Sequence, residues 1–378
     1  MNIEKLIRPD LVGMKTYTPV EPTEVLSQLG EVPADKVVKL DGNENPYGCS
    51  PKVHQALATY SYYHNYPDPE QRELRKALEQ YTGLGRQHIV CGMGSDELID
   101  LTLRLFLNPG DEVINCPPTF GMYPFSTDVC GGRTVDVARA EDYTLDMAGI
   151  EKALSNRTKV IFIASPNNPS GNITAEKEIV GLIGTGRIVV VDEAYFEFSN
   201  TTVAKLVPSC PNLIVLRTFS KWAGLAGIRI GYGIFPVETA NYVMKIKQPY
   251  NASAPAQAAV LASLADIEYL RANVARIVRE RDRLFDKLKG LGWLKPYVSQ
   301  ANFILCSLVH STFAGARQPA AREIWQQLRN KGIFIRYFDT PRLRDCLRIS
   351  VGRPEDTDAL VKALKEVKHD RKKSQSGS

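Results

Sequence analysis

Residues Thr218 to Gly233 read TFSKWAGLAGIRIGYG. The run before them, Leu213-Ile214-Val215-Leu216, has the unbroken apolar character of a buried strand. Lys221 leaves that strand beside two hydroxyl residues, Thr218 and Ser220, and a glycine- and alanine-rich segment then leads to Arg229. An ammonium beside a core strand is costly unless it is exposed or chemically used. One use is a Schiff base with an aldehyde cofactor, for which the amine is the covalent anchor. The hydroxyls and the arginine could then hold an anionic group of that cofactor. A solvent-facing lysine in a strand-to-loop turn is the plainer reading of a lone Ser-Lys pair. The rest of the chain has to choose between the two.

Bulk properties exclude several classes. A length of 378 residues suggests two or three structural units, and 44% hydrophobic with 24% charged residues is ordinary for a soluble globular chain. The net charge of +5 includes a basic cluster near the end, His369-Asp370-Arg371-Lys372-Lys373, and no basic stripe interleaved with aromatics. Nucleic-acid binding is therefore not expected. The seven cysteines are scattered without a C-x-x-C pair, which suits reduced thiols in a cytosol-like compartment. The five histidines show no ligand spacing, so no metal site is expected. No apolar stretch approaches transmembrane length, and Met1 to Gly30 carries no signal-peptide core. The expected location is the cytoplasm, or an organelle stroma such as a plastid if a presequence has been removed.

Outward from the lysine, apolar strands alternate with helices. Strands are expected at His88–Cys91, Glu112–Cys116, Lys159–Ala164, Arg187–Val191 and Leu213–Thr218, with helices at Glu70–Tyr81 and Asp96–Leu107. Strands apolar on both faces point to an α/β fold, a mostly parallel sheet covered by helices on both faces. After Gly233 the pattern changes. Helices Pro255–Ala265 and Ile267–Lys289 are followed by short strands at Asn302–Leu308, Ile333–Tyr337 and Leu347–Val351, with helices near Ala320–Lys331 and Asp356–Val367. This reads as a second, smaller α+β domain. The expected division is an N-terminal arm and part of the small domain (1–45), a large domain (46–265), a small domain (266–368) and a disordered tail (369–378).

Four further segments sit where these strands end. In Cys91-Gly92-Met93-Gly94-Ser95-Asp96-Glu97 a strand meets a helix start capped by Ser95-Asp96. Such a start is a natural phosphate cradle, although a plain glycine turn with a normal cap has the same appearance. Val191-Asp192-Glu193-Ala194-Tyr195 puts an acid at the carboxyl end of a buried strand, where open α/β sheets bind ligands. A carboxylate there wants a cationic partner, such as a protonated pyridine nitrogen, or else caps a turn. Tyr195 could donate to a ring oxygen. Asn167 and Asn168, between Pro166 and Pro169, fix an amide in a rigid turn, and Phe120 could stack on a flat cofactor or fill the core. Arg336 and Arg348 could bind a carboxylate or phosphate, or lie on the surface.

Taken together, LDGNENPYG, YPDP, GMGSDE, PPTFGMY, SPNNPSG, VVDEAYFEF, RTFSKWAGLAGIRIGYG, ANFILC and CLRISVG resemble the fold-type I pyridoxal-phosphate enzymes, in order and spacing, over almost the whole chain. The histidinol-phosphate aminotransferase family is the nearest likeness. The resemblance implies pyridoxal 5'-phosphate anchored on Lys221, with Asp192 at its pyridine nitrogen and Tyr195 and Asn168 at its phenolic oxygen. Phe120 would stack on the ring, at a position where the family often has tyrosine. Ser95, Asp96, Thr218, Ser220 and Arg229 would hold the phosphate. Tyr66 would reach the phosphate in a neighbouring subunit, which implies a homodimer with shared active sites. Arg348 would take the substrate's anionic group, and Tyr17, Asn43 and Arg336 would line the same pocket. The implied reaction converts L-histidinol phosphate and 2-oxoglutarate to imidazole acetol phosphate and L-glutamate. Aromatic amino-acid aminotransferases and threonine-phosphate decarboxylases share the cofactor residues and are the alternatives. A non-enzymatic cofactor-binding regulator would need an attached module for which the chain has no spare segment.

Overall fold

A computed structural model of the chain describes residues 1–309 and 320–374. Twelve strands among the described residues form two sheets. They are β1 Val38–Leu40, β2 Ile89–Gly92, β3 Glu112–Asn115, β4 Arg133–Asp136, β5 Thr158–Ala164, β6 Ile188–Asp192, β7 Leu213–Thr218, β8 Gly231–Ile234, β9 Leu294–Pro296, β10 Phe303–Leu308, β11 Ile333–Tyr337 and β12 Cys346–Ser350. The larger sheet has the order β2-β8-β7-β6-β5-β3-β4, and the smaller one β1-β11-β12-β10-β9.

The apolar runs explain the larger sheet. Side chains alternate across a strand, so a run that is apolar throughout feeds both faces. Ile161, Ile163, Val189, Val191, Leu213 and Val215 enter one core, and Val160, Phe162, Val190, Ile214 and Leu216 enter the other. Helices cover both faces; Gly94–Phe106, for example, buries Leu98, Ile99 and Leu103. Strands β3 to β7 pair in parallel, so their carboxyl ends share one edge. Strand β8 runs antiparallel to β7 and β2 and was not expected as a strand. Its sequence, Gly-Tyr-Gly-Ile, is half glycine, which weakens any strand signal. The glycines are there for contact. A Cβ at Gly231 would come within 2.7 Å of the Ser95 nitrogen, and one at Gly233 within 2.3 Å of the Phe235 ring.

The smaller sheet draws its edge strand β1 from the N-terminal part of the chain, paired in parallel with β11. Helix Ile267–Lys289 runs from the first region to the second and buries Leu270, Ile277, Leu284 and Leu288 along one stripe. The last helix runs from Pro354 to Ser374. The disordered tail expected from residue 369 is thus helical backbone as far as Ser374. No proline or glycine interrupts the sequence after Pro354 until Gly377, so nothing breaks the helix earlier. The rest of that expected tail, 375–378, lies outside the described residues. No helix among the described residues is long and apolar enough to cross a membrane.

Candidate active site

The carboxyl edge of β5 to β7 opens into a cavity of about 940 Å³ that also takes walls from the smaller sheet. Every residue expected at the site lines this cavity except Tyr66. Strand alternation decides which side chains face it. Asp192 and Thr218 point to the cavity side, while Glu193 and Arg217, one residue away, point to the opposite face. There Glu193 Oε2 accepts from Arg217 Nε at 3.0 Å and Nη2 at 2.8 Å. Arg217 also lies 3.7 Å over the Phe196 ring. This buried pair ties the end of β6 to the end of β7 just behind the site. Removing one partner of such a pair typically costs about 3–5 kcal/mol.

Lys221 is partly buried and donates to the Gly42 carbonyl at 3.1 Å. Burial, with the Arg348 guanidinium nearby, pushes its ammonium down to about 8. Asp192 is 4% exposed. Its Oδ2 accepts from Tyr123 Oη at 2.8 Å and its Oδ1 from the Ala194 N–H at 3.0 Å. No cationic side chain among the described residues pairs with it. Burial raises its carboxyl to about 6, against the pull of those two donors. A buried acid that lacks a cation and faces a cavity suits a ligand that brings one, such as a protonated pyridine ring.

Helix Gly94–Phe106 starts two residues before the expected Asp96. Met93 takes the cap position without a side-chain cap, so Ser95 and Asp96 lie inside the first turn instead of capping it. Gly94 makes this possible with φ +78°, and Glu97 Oε2 accepts from the Met93 N–H at 2.6 Å. The first-turn N–H groups have no carbonyl one turn earlier in the helix and remain available to an anion. Arg229 is held beside them. Its Nη2 donates to Asp96 Oδ2 at 3.0 Å and its Nη1 to Ser220 Oγ at 3.4 Å. Thr218 Oγ1 donates to Ser220 Oγ at 2.9 Å. A Cβ on Gly94 would sit 2.7 Å from Arg229 Nη2, so the cradle needs glycine there. These donors fit the phosphate of pyridoxal phosphate, and the flat wall of Phe120 fits its ring.

On the other side Arg348 is 6% exposed. Its Nη1 donates to Asn168 Oδ1 at 2.7 Å, its Nη2 to the Asp41 carbonyl, and its buried Nε finds no hydrogen-bond partner among the described residues. Burial lowers this guanidinium to about 10. Arg336 is its cross-strand neighbour and donates to the carbonyls of Thr18, at 2.9 Å, and Pro19, at 3.3 Å. Arg336 therefore ties the N-terminal segment over the cavity. Tyr17 in that segment meets Phe120 edge-on at 6.4 Å. Asn43, 2% exposed, is fully engaged. Its Nδ2 donates to Tyr195 Oη at 2.9 Å, its Oδ1 accepts from Ser350 Oγ at 2.8 Å, and its carbonyl accepts from Asn302 Nδ2 at 2.9 Å. Asn43 thus joins the two sheets under the site. Tyr66 lies elsewhere, 80% exposed and stacked on Tyr250 at 4.3 Å.

Sequence reasoning missed Tyr123, whose partner Asp192 is 69 positions away in the chain. A faint signal existed in its place three residues after Phe120, a second aromatic in the same short segment after β3. It also missed the backbone acceptors of Asp41 and Gly42, which no residue type can announce.

Residues 35–364 match the family model for class I and II aminotransferases. A histidinol-phosphate aminotransferase from Dehalococcoides mccartyi is 48% identical over 97% of this chain and 99% of its own. A chloroplastic histidinol-phosphate aminotransferase from Arabidopsis thaliana is 44% identical over 96% of this chain and 86% of its own. The solved structure of the Sinorhizobium meliloti histidinol-phosphate aminotransferase, in complex with pyridoxal-5'-phosphate, matches with a TM-score of 0.85 and 29% identity, covering 96% of this chain and 97% of that one. Its sequence and its fold together make this chain a member of the class I and II aminotransferases, within their histidinol-phosphate aminotransferase family.

Proposed function

We propose that the chain is a pyridoxal-phosphate-dependent aminotransferase of histidine biosynthesis. It converts L-histidinol phosphate and 2-oxoglutarate to imidazole acetol phosphate and L-glutamate. One observation carries the reading. In a chain similar to histidinol-phosphate aminotransferases over nearly its whole length, a single cavity gathers a lysine of lowered basicity, a buried acid without a cation and an anion cradle.

When bound, pyridoxal phosphate supplies an electron sink, its protonated ring, which makes the proton on the amine-bearing carbon of the substrate removable. On this reading Lys221 anchors the cofactor through its amine, and once released carries that proton. An amine lowered to about 8 has a substantial neutral fraction near the working range, as a base requires. Asp192 would keep the ring nitrogen protonated. Tyr195, aimed by Asn43, and the side-chain amide N–H of Asn168 would donate to the ring oxygen. Phe120 would cover one ring face and keep water off it. The first-turn N–H groups at Ser95 and Asp96, with Thr218, Ser220 and Arg229, would hold the phosphate. Arg348 would receive the substrate's anionic group, with Tyr17, Asn43 and Arg336 framing the same space.

The proposed active unit is a homodimer. Tyr66, exposed and remote from its own cavity, would enter the partner's site and reach the phosphate there. The proposed compartment is the cytoplasm or a plastid stroma, and the seven free cysteines suit such a reducing space.

The test is a substrate panel with two readouts, glutamate and carbon dioxide. Glutamate should form fastest from L-histidinol phosphate, always require 2-oxoglutarate, and appear with no carbon dioxide released. Unphosphorylated L-histidinol should turn over at least roughly tenfold more slowly, because a charged hydrogen bond to arginine is lost. Aromatic amino acids should also turn over more slowly than L-histidinol phosphate. Equal turnover of aromatic amino acids, or carbon dioxide release without 2-oxoglutarate, would overturn the reading.

A further inference from the structure

Tyr123 has no part in the reading above, yet it is fully buried against the site, at 0% exposure. It sits in the first turn of helix Met122–Val129, three residues after Phe120. Its ring lies flat on Phe162, with centroids 4.7 Å apart and planes 5° apart, and meets Phe120 edge-on at 5.6 Å. The hydroxyl is thereby fixed in direction, and it donates to Asp192 Oδ2 at 2.8 Å. A carboxylate so held has one donor on each oxygen, since the Ala194 N–H takes Oδ1. We propose that Tyr123 is a positioning residue for the cofactor. Its phenol keeps Asp192 ionised and aimed, and so sets the pH up to which the cofactor's ring nitrogen holds its proton. The proposal rests on pyridoxal phosphate lying against Asp192.

The surroundings leave this task to few groups. Asp96 and Glu193 both oppose charge on Asp192, and burial opposes it most. Each of those acids is paired elsewhere, Asp96 with Arg229 and Glu193 with Arg217. Tyr195 donates nothing to Asp192, and its own phenol is pushed up to about 12 by burial. Tyr123 first, and then the Ala194 N–H, draw Asp192 toward its charged form. Burial and the facing Asp192 carboxylate hold the Tyr123 phenol neutral, with Arg139 opposing weakly, so it stays a donor. Without that hydroxyl the carboxylate would take up a proton more readily, and the ring nitrogen would lose its counter-charge. Tyr123→Phe keeps the ring and its stacking and removes only the donor.

The experiment loads the holoenzyme with pyridoxal phosphate labelled with ¹⁵N at the ring nitrogen and follows its chemical shift against pH. In Tyr123→Phe the ring nitrogen should lose its proton about one to two pH units lower than in wild type, the worth of one hydrogen bond to a charged acceptor. A fluorinated tyrosine installed at position 123 is a stronger donor of nearly the same shape, and should move the midpoint upward. Opposite shifts in the two variants support the proposal. Shifts in the same direction, or none, overturn it, because lost packing alone changes stability and not the proton on the ring. If Tyr123→Phe does not fold, the fluorinated variant decides, and a midpoint that stays or falls overturns the proposal. A wild-type protein that binds no labelled cofactor at Lys221 would instead bring down the functional reading, and this proposal with it.

Discussion

Lys221 sits partly buried with the Gly42 carbonyl as its hydrogen-bond acceptor. Its ammonium falls from 10.5 to about 8, chiefly through burial. Between those two values the unfolded chain binds more protons than the folded one, so the stability of the cofactor-free protein rises with pH through that window. Below about 8 both states are charged and the folded state carries the full desolvation cost. Replacing Lys221 with Met should therefore raise the urea midpoint of the cofactor-free protein at neutral pH, and the gain should shrink as pH rises from about 8 toward 10.5. A gain that grows with pH would contradict the assigned burial. Lys221 and Asp192 were legible in the sequence because a charge at the end of an apolar strand stands out. Asn43 and Arg336 were legible only as polar residues near the site. Their hydrogen-bond partners, Tyr195 and the Thr18 and Pro19 carbonyls, come from distant parts of the chain, so their roles as ties between segments could not be read locally.

At the scale of the element, the strands that read clearly are β2, β3, β5, β6 and β7 of the larger sheet and β10, β11 and β12 of the smaller one, most of them buried throughout. Edge strand β4 is partly exposed and carries Arg133, Thr134 and Asp136, so no apolar run marks it. Strand β1 has three residues and gains its order from β11, nearly three hundred positions later. The proposed phosphate cradle rests on one such unmarked detail, the left-handed backbone at Gly94 directly beneath Arg229. Gly94→Ala adds both a strained φ and a contact at 2.7 Å, so Arg229 has to move. The expected result is a cofactor Kd raised by about tenfold or more, the equivalent of ~1.4 kcal/mol, read by titrating the cofactor against tryptophan fluorescence. A Kd near that of wild type would show that the cradle does not depend on this turn.

Across the whole molecule, two sheets close on one cavity, and the segment Asp41-Gly42-Asn43 is bonded to both sides of it. Asp41 accepts from Arg348, Gly42 from Lys221, and Asn43 links Tyr195 to Ser350. One residue expected at the site, Tyr66, lies outside its own cavity, 80% exposed, which the proposed homodimer would account for. In a homodimer with Tyr66 acting in trans, Tyr66→Ala and Lys221→Ala place their lesions in different composite sites. A heterodimer of the two then has one site with both lesions and one with neither. Mixing the variants after reversible dissociation should restore up to roughly a quarter of wild-type activity for random pairing. No recovery, with heterodimers verified by mass spectrometry, would mean that Tyr66 acts in its own subunit or not at all.

The central claim is that the lysine at the end of β7 is the covalent anchor of pyridoxal phosphate. Reducing the holoenzyme with borohydride and mapping its peptides by mass spectrometry tests this most directly. The cofactor's mass should appear on the peptide that contains Ser220-Lys221 and on no other lysine. A label on a different lysine, or none in a protein that still exchanges amino groups, would contradict it.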